Sequence, residues 1–503
     1  MEKDYVLAMY DIRSKQDFIY RSTHIKEIIG GTHIISDCYN DLYNIAEKES
    51  NGKGIFHDLK KDFTIDGLKK HIEEGYIGEV IYNGGGNFLV LFKNKEVCKD
   101  LTYKFTKEVM INTGTLKVIC TYIENIDFEN FKEDRKRLYD KHRKNEAIVN
   151  PTMFYASLPI TQVDPVTSMP LVEYSEEAKT KVSRESNAKY EKFEEVKNKE
   201  LDEKVLDEIV WKRGEESMLA CIYIDGNSMG AKVQNCIKDD KSYEKCIKSL
   251  RDLSSKIEKN YIKDRLEEID DYLNAKHGTS KKRRYIVSAG DEVTFICDAR
   301  DAFEVAKIYL KGLPKEDSSC AGISIFHSHS PYSEAYRIAE ECCESGKTKM
   351  KKHKIDNVCY LDFHYCQGAI GTSLEDIRDL EIGEIISKPW VIRIDDNDKK
   401  KIIDSDDKYV DLDDVERVVK ILKEFGRSNV KSLAECAKKS SVSLELELSR
   451  IKAHMKKEKR ENMKEDFEYL ENMDNFKKRS IIYDVVIMYD LWFKDYGENK
   501  KDN

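Results

Sequence analysis

The chain has 503 residues, 40% of them hydrophobic and 36% charged, with a formal net charge of −9. That length predicts roughly two to four domains, and the acidic balance argues against a general nucleic-acid binder, which needs clustered Lys and Arg. No apolar run approaches a membrane span, and the start Met-Glu-Lys-Asp is no signal peptide. Thirteen cysteines without a Cys-x-x-Cys pair read as reduced core residues of a cytoplasmic protein with no evident zinc site.

In chain order, an apolar strand is predicted over 4–12, then a helical run to about 44 that contains Gly30-Gly31. A hairpin over 78–92 with the tip Gly84-Gly85-Gly86-Asn87 follows, then a helix over 94–110 and a strand over 115–124. Residues 129–215 are Lys/Glu-rich, carry Pro151, Pro159, Pro165 and Pro170, and read as a helical linker with an irregular loop.

The same order then recurs. A strand over 218–225 leads to helices across 228–276, a hairpin over 284–298, a helix over 299–312 and a strand over 319–327. A helix over 331–350 and a strand over 356–362 follow. Beyond about 370, helical apolar spacing covers 413–425, 429–438, 442–471 and 476–495. The expected fold class is α+β: two ferredoxin-like βαββαβ domains, a helical linker and a C-terminal helical bundle. The expected boundaries are 1–128, 129–215, 216–368 and 369–503.

Chemistry concentrates at two turns. The first strand of the second copy ends in Asp225-Gly226-Asn227-Ser228-Met229-Gly230, and its hairpin tip is Ala289-Gly290-Asp291-Glu292. Paired carboxylates at a strand end and a hairpin tip suit Mg²⁺ or Mn²⁺, which take hard oxygen ligands and neutralise a nucleoside triphosphate. Asp225, Asp291 and Glu292 are the expected metal ligands and catalytic groups, Glu292 doubling as helper or base. Gly226, Asn227, Ser228, Gly230 and Gly290 are expected to lie against the nucleotide, with backbone amides at a helix N-terminus facing phosphate. Lys347 and Lys349, in the basic run 347–354, are expected to reach the triphosphate. That run and the patch 281–284 also read as solvated faces. The first hairpin tip has no carboxylate, so that copy is expected to support substrate. Gly30, Gly31 and Asn87 are its candidate contacts to an acceptor nucleotide.

These segments resemble the large, polymerase/cyclase-type palm subunit of type III CRISPR effector complexes. The resemblance runs through Tyr10-Asp11-Ile12, Lys15-Gln16-Asp17-Phe18-Ile19 and Gly30-Gly31-Thr32 in the first copy. In the second it runs through Ile224-Asp225-Gly226-Asn227, Ala289-Gly290-Asp291-Glu292, and Ala339-Glu340 to Gly346-Lys347. It covers roughly residues 4–125 and 150–365. It implies a palm-type cyclase that joins ATP into cyclic oligoadenylate or a related cyclic nucleotide messenger in antiviral defence, with CRISPR-type or other defence proteins and RNA as partners.

The chain departs from the family pattern in four places. The family's Gly-Gly-Asp-Asp is Ala-Gly-Asp-Glu here, nearer the Gly-Gly-Asp-Glu-Phe form of diguanylate cyclases. The second Asp of Asp-Gly-Asp is Asn227, the linker lacks zinc cysteines, and no nuclease domain precedes the first strand, which suggests a stand-alone relative. A catalytically degenerate scaffold that binds nucleotide or RNA, and a GTP-using cyclase, are the alternative readings.

Overall fold

A computed structural model describes residues 4–492 except 85–86, 127, 149–159, 166, 201–205, 207–208, 211–216, 280–281, 367–371, 382–384 and 405–408. The architecture is α+β. The first sheet holds β1 (Val6–Arg13), β2 (Ile55–Phe56), β3 (Gly78–Gly84), β4 (Asn87–Phe92) and β5 (Lys117–Ile123), in the order β2-β3-β4-β1-β5. A short ribbon of β6 (Glu173–Ser175) and β7 (Thr180–Val182) follows. The second sheet holds β8 (Met218–Gly226), β9 (Arg283–Ala289), β10 (Glu292–Asp298), β11 (Ser319–His327), β12 (Val358–Tyr365) and β13 (Trp390–Ile394). Its order is β13-β12-β11-β8-β10-β9.

The two sheets share a register. In each, the first strand lies between the second hairpin strand and the strand after the next helix, antiparallel to both. Tyr10 faces Phe88 across β1–β4, and Ile224 faces Val293 across β8–β10. One step further, Asp11 and Asn87 correspond to Asp225 and Glu292.

β8 is central and apolar on both faces, as a strand covered on two sides must be. Ala220, Ile222 and Ile224 enter one core, with Val293, Phe295, Tyr261 and Tyr309. Leu219, Cys221 and Tyr223 enter another, with Tyr336, Ala339 and Cys343 of the Tyr332–His353 helix. That second core also takes Ile19, Ile28 and Ile29 from the N-terminal helices Lys15–Tyr20 and Ile25–Glu49. In return, Tyr243, Ile247 and Leu250 of the Tyr243–Ile257 helix pack beneath Leu7, Met9 and Leu89 of the first sheet. Each half therefore covers a face of the other.

Three expectations change. β13 pairs with β12 and completes the second sheet, so the expected boundary at 368 falls before that sheet's last strand. The C-terminal helices share one core with the sheet: Val415, Leu433, Ile481 and Met488 belong with Ile222 and Phe295. The run 442–471 is three helices, Ser441–His454, Lys457–Asn462 and Lys464–Asn472, because Met455 is extended and interrupts the first. Among the described residues no helix is long and apolar enough to cross a membrane.

Candidate functional site

Asp225 is the penultimate residue of β8, opposite Cys320 of β11. Strand alternation puts it on the Tyr223 face of the sheet, where the Tyr332–His353 helix crosses. There its carboxylate is ion-paired with the Lys347 ammonium. Glu292, one register step beyond Val293–Ile224, stands across from Asp225 on the same face. Burial raises its pKa to about 7, helped by the Asp291 and Glu340 charges and opposed by Lys15. Glu292 in turn raises the pKa of Tyr20, Tyr223 and Tyr336, whose main cause is burial. Tyr20 and Tyr336 stack with centroids 3.5 Å apart, so the N-terminal helix forms one wall of the Glu292 environment.

Asp291 turns the other way. It follows Gly290, whose φ of +66° makes the turn. Its carboxylate packs on Gly226, where a Cβ would come within 2.8 Å of both Asp291 Cβ and Oδ2. Gly226 therefore supplies the space that lets the hairpin tip close on the end of β8. Burial raises the Asp291 pKa, while the backbone amides of Asp291 and Gly226 and the Lys232 charge lower it. Lys232 is itself held 2.5 Å from Asp317 and 3.0 Å from the Tyr261 hydroxyl. Asp225 and Glu292 thus share one face at the ends of β8 and β10, and Asp291 turns toward the other face.

Beside Asp225 opens a cavity of about 410 Å³, lined by Gly226, Asn227 and Ser228, by Lys347, Lys351 and Lys354, and by the carboxylates Glu344 and Asp356. Positions 347 and 351 share a helix face, and Lys354 caps the helix C-terminus with φ +52°. Burial and the Lys351 charge push the Lys347 pKa down to about 8, against which the Asp225 contact works. Ser228 turns the loop with φ +56° and donates its hydroxyl to Asp356 at 3.3 Å.

Some expected residues have structural partners of their own. Asn227 is 1% exposed, and its side-chain amide donates to the Val358 carbonyl at 2.9 Å and to the Ser318 hydroxyl at 3.1 Å. It fastens the loop to the neighbouring strands, a task a carboxylate lacks the protons for. Lys349 points away, over the Tyr360 ring at 6.0 Å, because two residues advance a helix by about 200°. Gly230 is exposed with open space around it. Gly30 and Gly31 lie inside the Ile25–Glu49 helix against Lys189, so their lack of a side chain serves close packing on the Arg184–Glu200 helix. Asn87 opens β4 opposite Gly84, while Gly85 and Gly86 lie outside the described residues. Sequence reading passed over Lys232 and gave no site role to Lys15 and Glu340, while Lys351 and Lys354 stood only within the basic run 347–354. Of these, Lys351 carried a further signal, its helical spacing from Lys347.

No family model matches the sequence, and no curated protein does. Among solved structures, the chain is similar to the Csm1–Csm4 cassette in complex with cA4, at 12% identity and a TM-score of 0.44, over 74% of this chain and 56% of that one. It is similar to Csm1 of T. onnurineus at 13% identity and 0.42, over 71% and 53%. It is similar to the Csm1–Csm4 subcomplex of the type III-A CRISPR-Csm interference complex at 12% identity and 0.40, over 71% and 54%. The chain spans about half the length of these chains, which come from the group of effector subunits its sequence resembles.

Proposed function

We propose that this protein is a metal-dependent nucleotidyltransferase of the palm type. In this reading it condenses ATP into cyclic oligoadenylate or a related cyclic nucleotide as an antiviral messenger in the cytoplasm, and its two sheets are the cores of two ferredoxin-like domains. The observation that supports the reading is Asp225 and Glu292 as cross-strand neighbours, with Asp291 on the adjoining hairpin tip, next to a cavity lined by Lys347, Lys351 and Lys354. An oxygen-only donor set beside clustered ammonium groups suits Mg²⁺ or Mn²⁺ with a triphosphate.

The carboxylates of Asp225 and Glu292, cross-strand neighbours, would hold the ion, with Asp291 completing the set from the hairpin tip. A bound ion supplies charge neutralisation of the phosphates. Lys347 is held by Asp225 until a triphosphate offers it a stronger partner, and Lys351 and Lys354 extend the positive lining. With a pKa of about 7, Glu292 is suited to take the proton of an attacking ribose hydroxyl near neutral pH. Catalysis then rests on positioning and charge. Solved Csm1–Csm4 cassettes carry pppApA, AMPPNP or one ATP, and ATP is the substrate proposed here.

One observation favours the rival reading of a nucleotide- or RNA-binding scaffold in an assembly with defence proteins: the Asp225–Lys347 ion pair neutralises an expected metal ligand. Incubation with each of the four nucleoside triphosphates and Mg²⁺ or Mn²⁺, with products resolved by mass, separates the two. A cyclic adenylate product supports the enzyme, a guanylate product redirects the base, and nucleotide binding without product supports the scaffold.

A further inference from the structure

We propose that Asp11, His142 and Glu146 form a second divalent-cation site, on the first sheet, of the kind that takes Zn²⁺. The proposal is independent of the nucleotide site. The ligand atoms of these three residues all lie within 4.8 Å of one another, the one such group among the described residues. Asp11 comes from β1. His142 and Glu146 come from the Phe131–Ile148 helix, four residues apart and so on one helix face.

The histidine is what separates this group from a chance cluster of acids. His142 is 7% exposed. Its Nδ1 meets the Thr121 hydroxyl at 3.1 Å, and Thr121, itself 1% exposed, accepts from the Asn145 amide at 2.9 Å. That chain fixes the ring as outer-shell groups do for metal-bound imidazoles. The other nitrogen, Nε2, points at Asp11 Oδ2 from 3.8 Å, beyond hydrogen-bond reach. A buried ring nitrogen is thereby aimed at a carboxylate it does not bond. Two donors about 2.0–2.2 Å from one tetrahedral Zn²⁺ stand about 3.4 Å apart, so the pair need close by only a few tenths of an ångström onto an ion, in a gap that a hydrogen bond does not fill.

The neighbouring cations leave room for it. Lys15 approaches Asp11 through Oδ1 at 3.5 Å, and Arg13 binds Glu146 through Oε1 at 2.8 Å. Each carboxylate keeps a second oxygen for the ion. One imidazole with two carboxylates suits a borderline ion such as Zn²⁺ better than Mg²⁺, which prefers oxygen alone.

The test is calorimetric titration of Zn²⁺ into the chelator-stripped full chain, repeated with His142→Ala, Asp11→Asn, Glu146→Gln and Asp225→Asn. The expected result is one tight equivalent, weakened at least about tenfold by His142→Ala and Asp11→Asn and unaffected by Asp225→Asn. Co²⁺ in place of Zn²⁺ should give a visible absorption band that His142→Ala removes. Glu146 is one-third exposed, so Glu146→Gln keeps the test open if the buried variants fail to fold. Tight binding indifferent to all three ligand variants, binding lost on Asp225→Asn, or no tight binding to the wild-type chain would each overturn the site. None of these outcomes bears on nucleotide condensation.

Discussion

Glu292→Gln should make the metal-free protein more stable while abolishing its chemistry. Burial and the adjacent Asp291 and Glu340 carboxylates raise the Glu292 pKa from 4.5 to about 7. A carboxyl whose folded pKa is raised contributes stability that is full below its unfolded pKa and lost as pH climbs through the folded one. At about 1.4 kcal/mol per pH unit, ionising Glu292 in the folded chain costs about 3 kcal/mol, fully felt above pH 7. Glutamine carries no charge and escapes that cost. Denaturation of metal-free wild type and Glu292→Gln, followed at pH 5 and pH 8, should show the variant ahead by up to about 3 kcal/mol at pH 8, with most of the advantage gone at pH 5. Added Mg²⁺ and ATP should then stabilise the wild type more than the variant, since a ligand stabilises only the state that binds it. Equal stability of the two proteins at pH 8, or a difference indifferent to pH, would refute the argument that Glu292 sits ionised at a cost awaiting a cation.

Asp225→Asn and Asp291→Asn should each lower product formation about 100-fold or more without unfolding the chain, read by mass-resolved product and circular dichroism. Gly226→Ala places a methyl within 2.8 Å of Asp291 and should cost activity through the hairpin tip while the sheet still forms. Asn227→Asp, which restores the family's acidic residue, should destabilise by about 1–3 kcal/mol in denaturant unfolding, because the Val358 carbonyl loses its donor. Deletion from residue 373 should give an insoluble or non-cooperative product on expression and thermal melting, since it removes β13 and bares the core that Ile222 and Phe295 share with Ile481 and Met488. A folded, nucleotide-binding 1–372 fragment would show the bundle to be a separate unit and refute the shared core.

Local chemistry was legible where local physics decides it. The apolar run of β8, the Gly290 turn between two β-rich runs and the helix after β11 follow from periodicity and turn preference. What one chain position does relative to another was less legible. Asp291 and Glu292 are neighbours in sequence, and the structure sends them to opposite sides because a turn residue and the first strand residue do not share a face. Lys347 and Lys349 read as one basic run, yet helical rotation gives one to Asp225 and the other to Tyr360. Gly30-Gly31 reads as a candidate contact to an acceptor nucleotide within a helical run; its structural reason is Lys189, on a helix more than a hundred residues away. β13 was lost for a related cause: its short run gains meaning only from pairing with β12.

The shared register of the two sheets explains why the halves diverge in chemistry at one position. In each, an aspartate near the end of the first strand meets a side chain from the helix that follows the motif's last strand. Asp225 meets Lys347, and Asp11 meets His142 and Glu146. The cross-strand neighbour differs in charge: Glu292 opposite Asp225, Asn87 opposite Asp11. A second carboxylate opposite the first builds a surplus of negative charge that the Lys347 ammonium offsets only in part, beside a cavity. In the first sheet the neutral Asn87 removes that surplus, Arg13 and Lys15 balance the remaining acids, and a fixed imidazole stands where the second sheet has a lysine. In the proposed readings, that difference suits the second sheet's end to exchanging a charged ligand and the first sheet's end to holding a single ion.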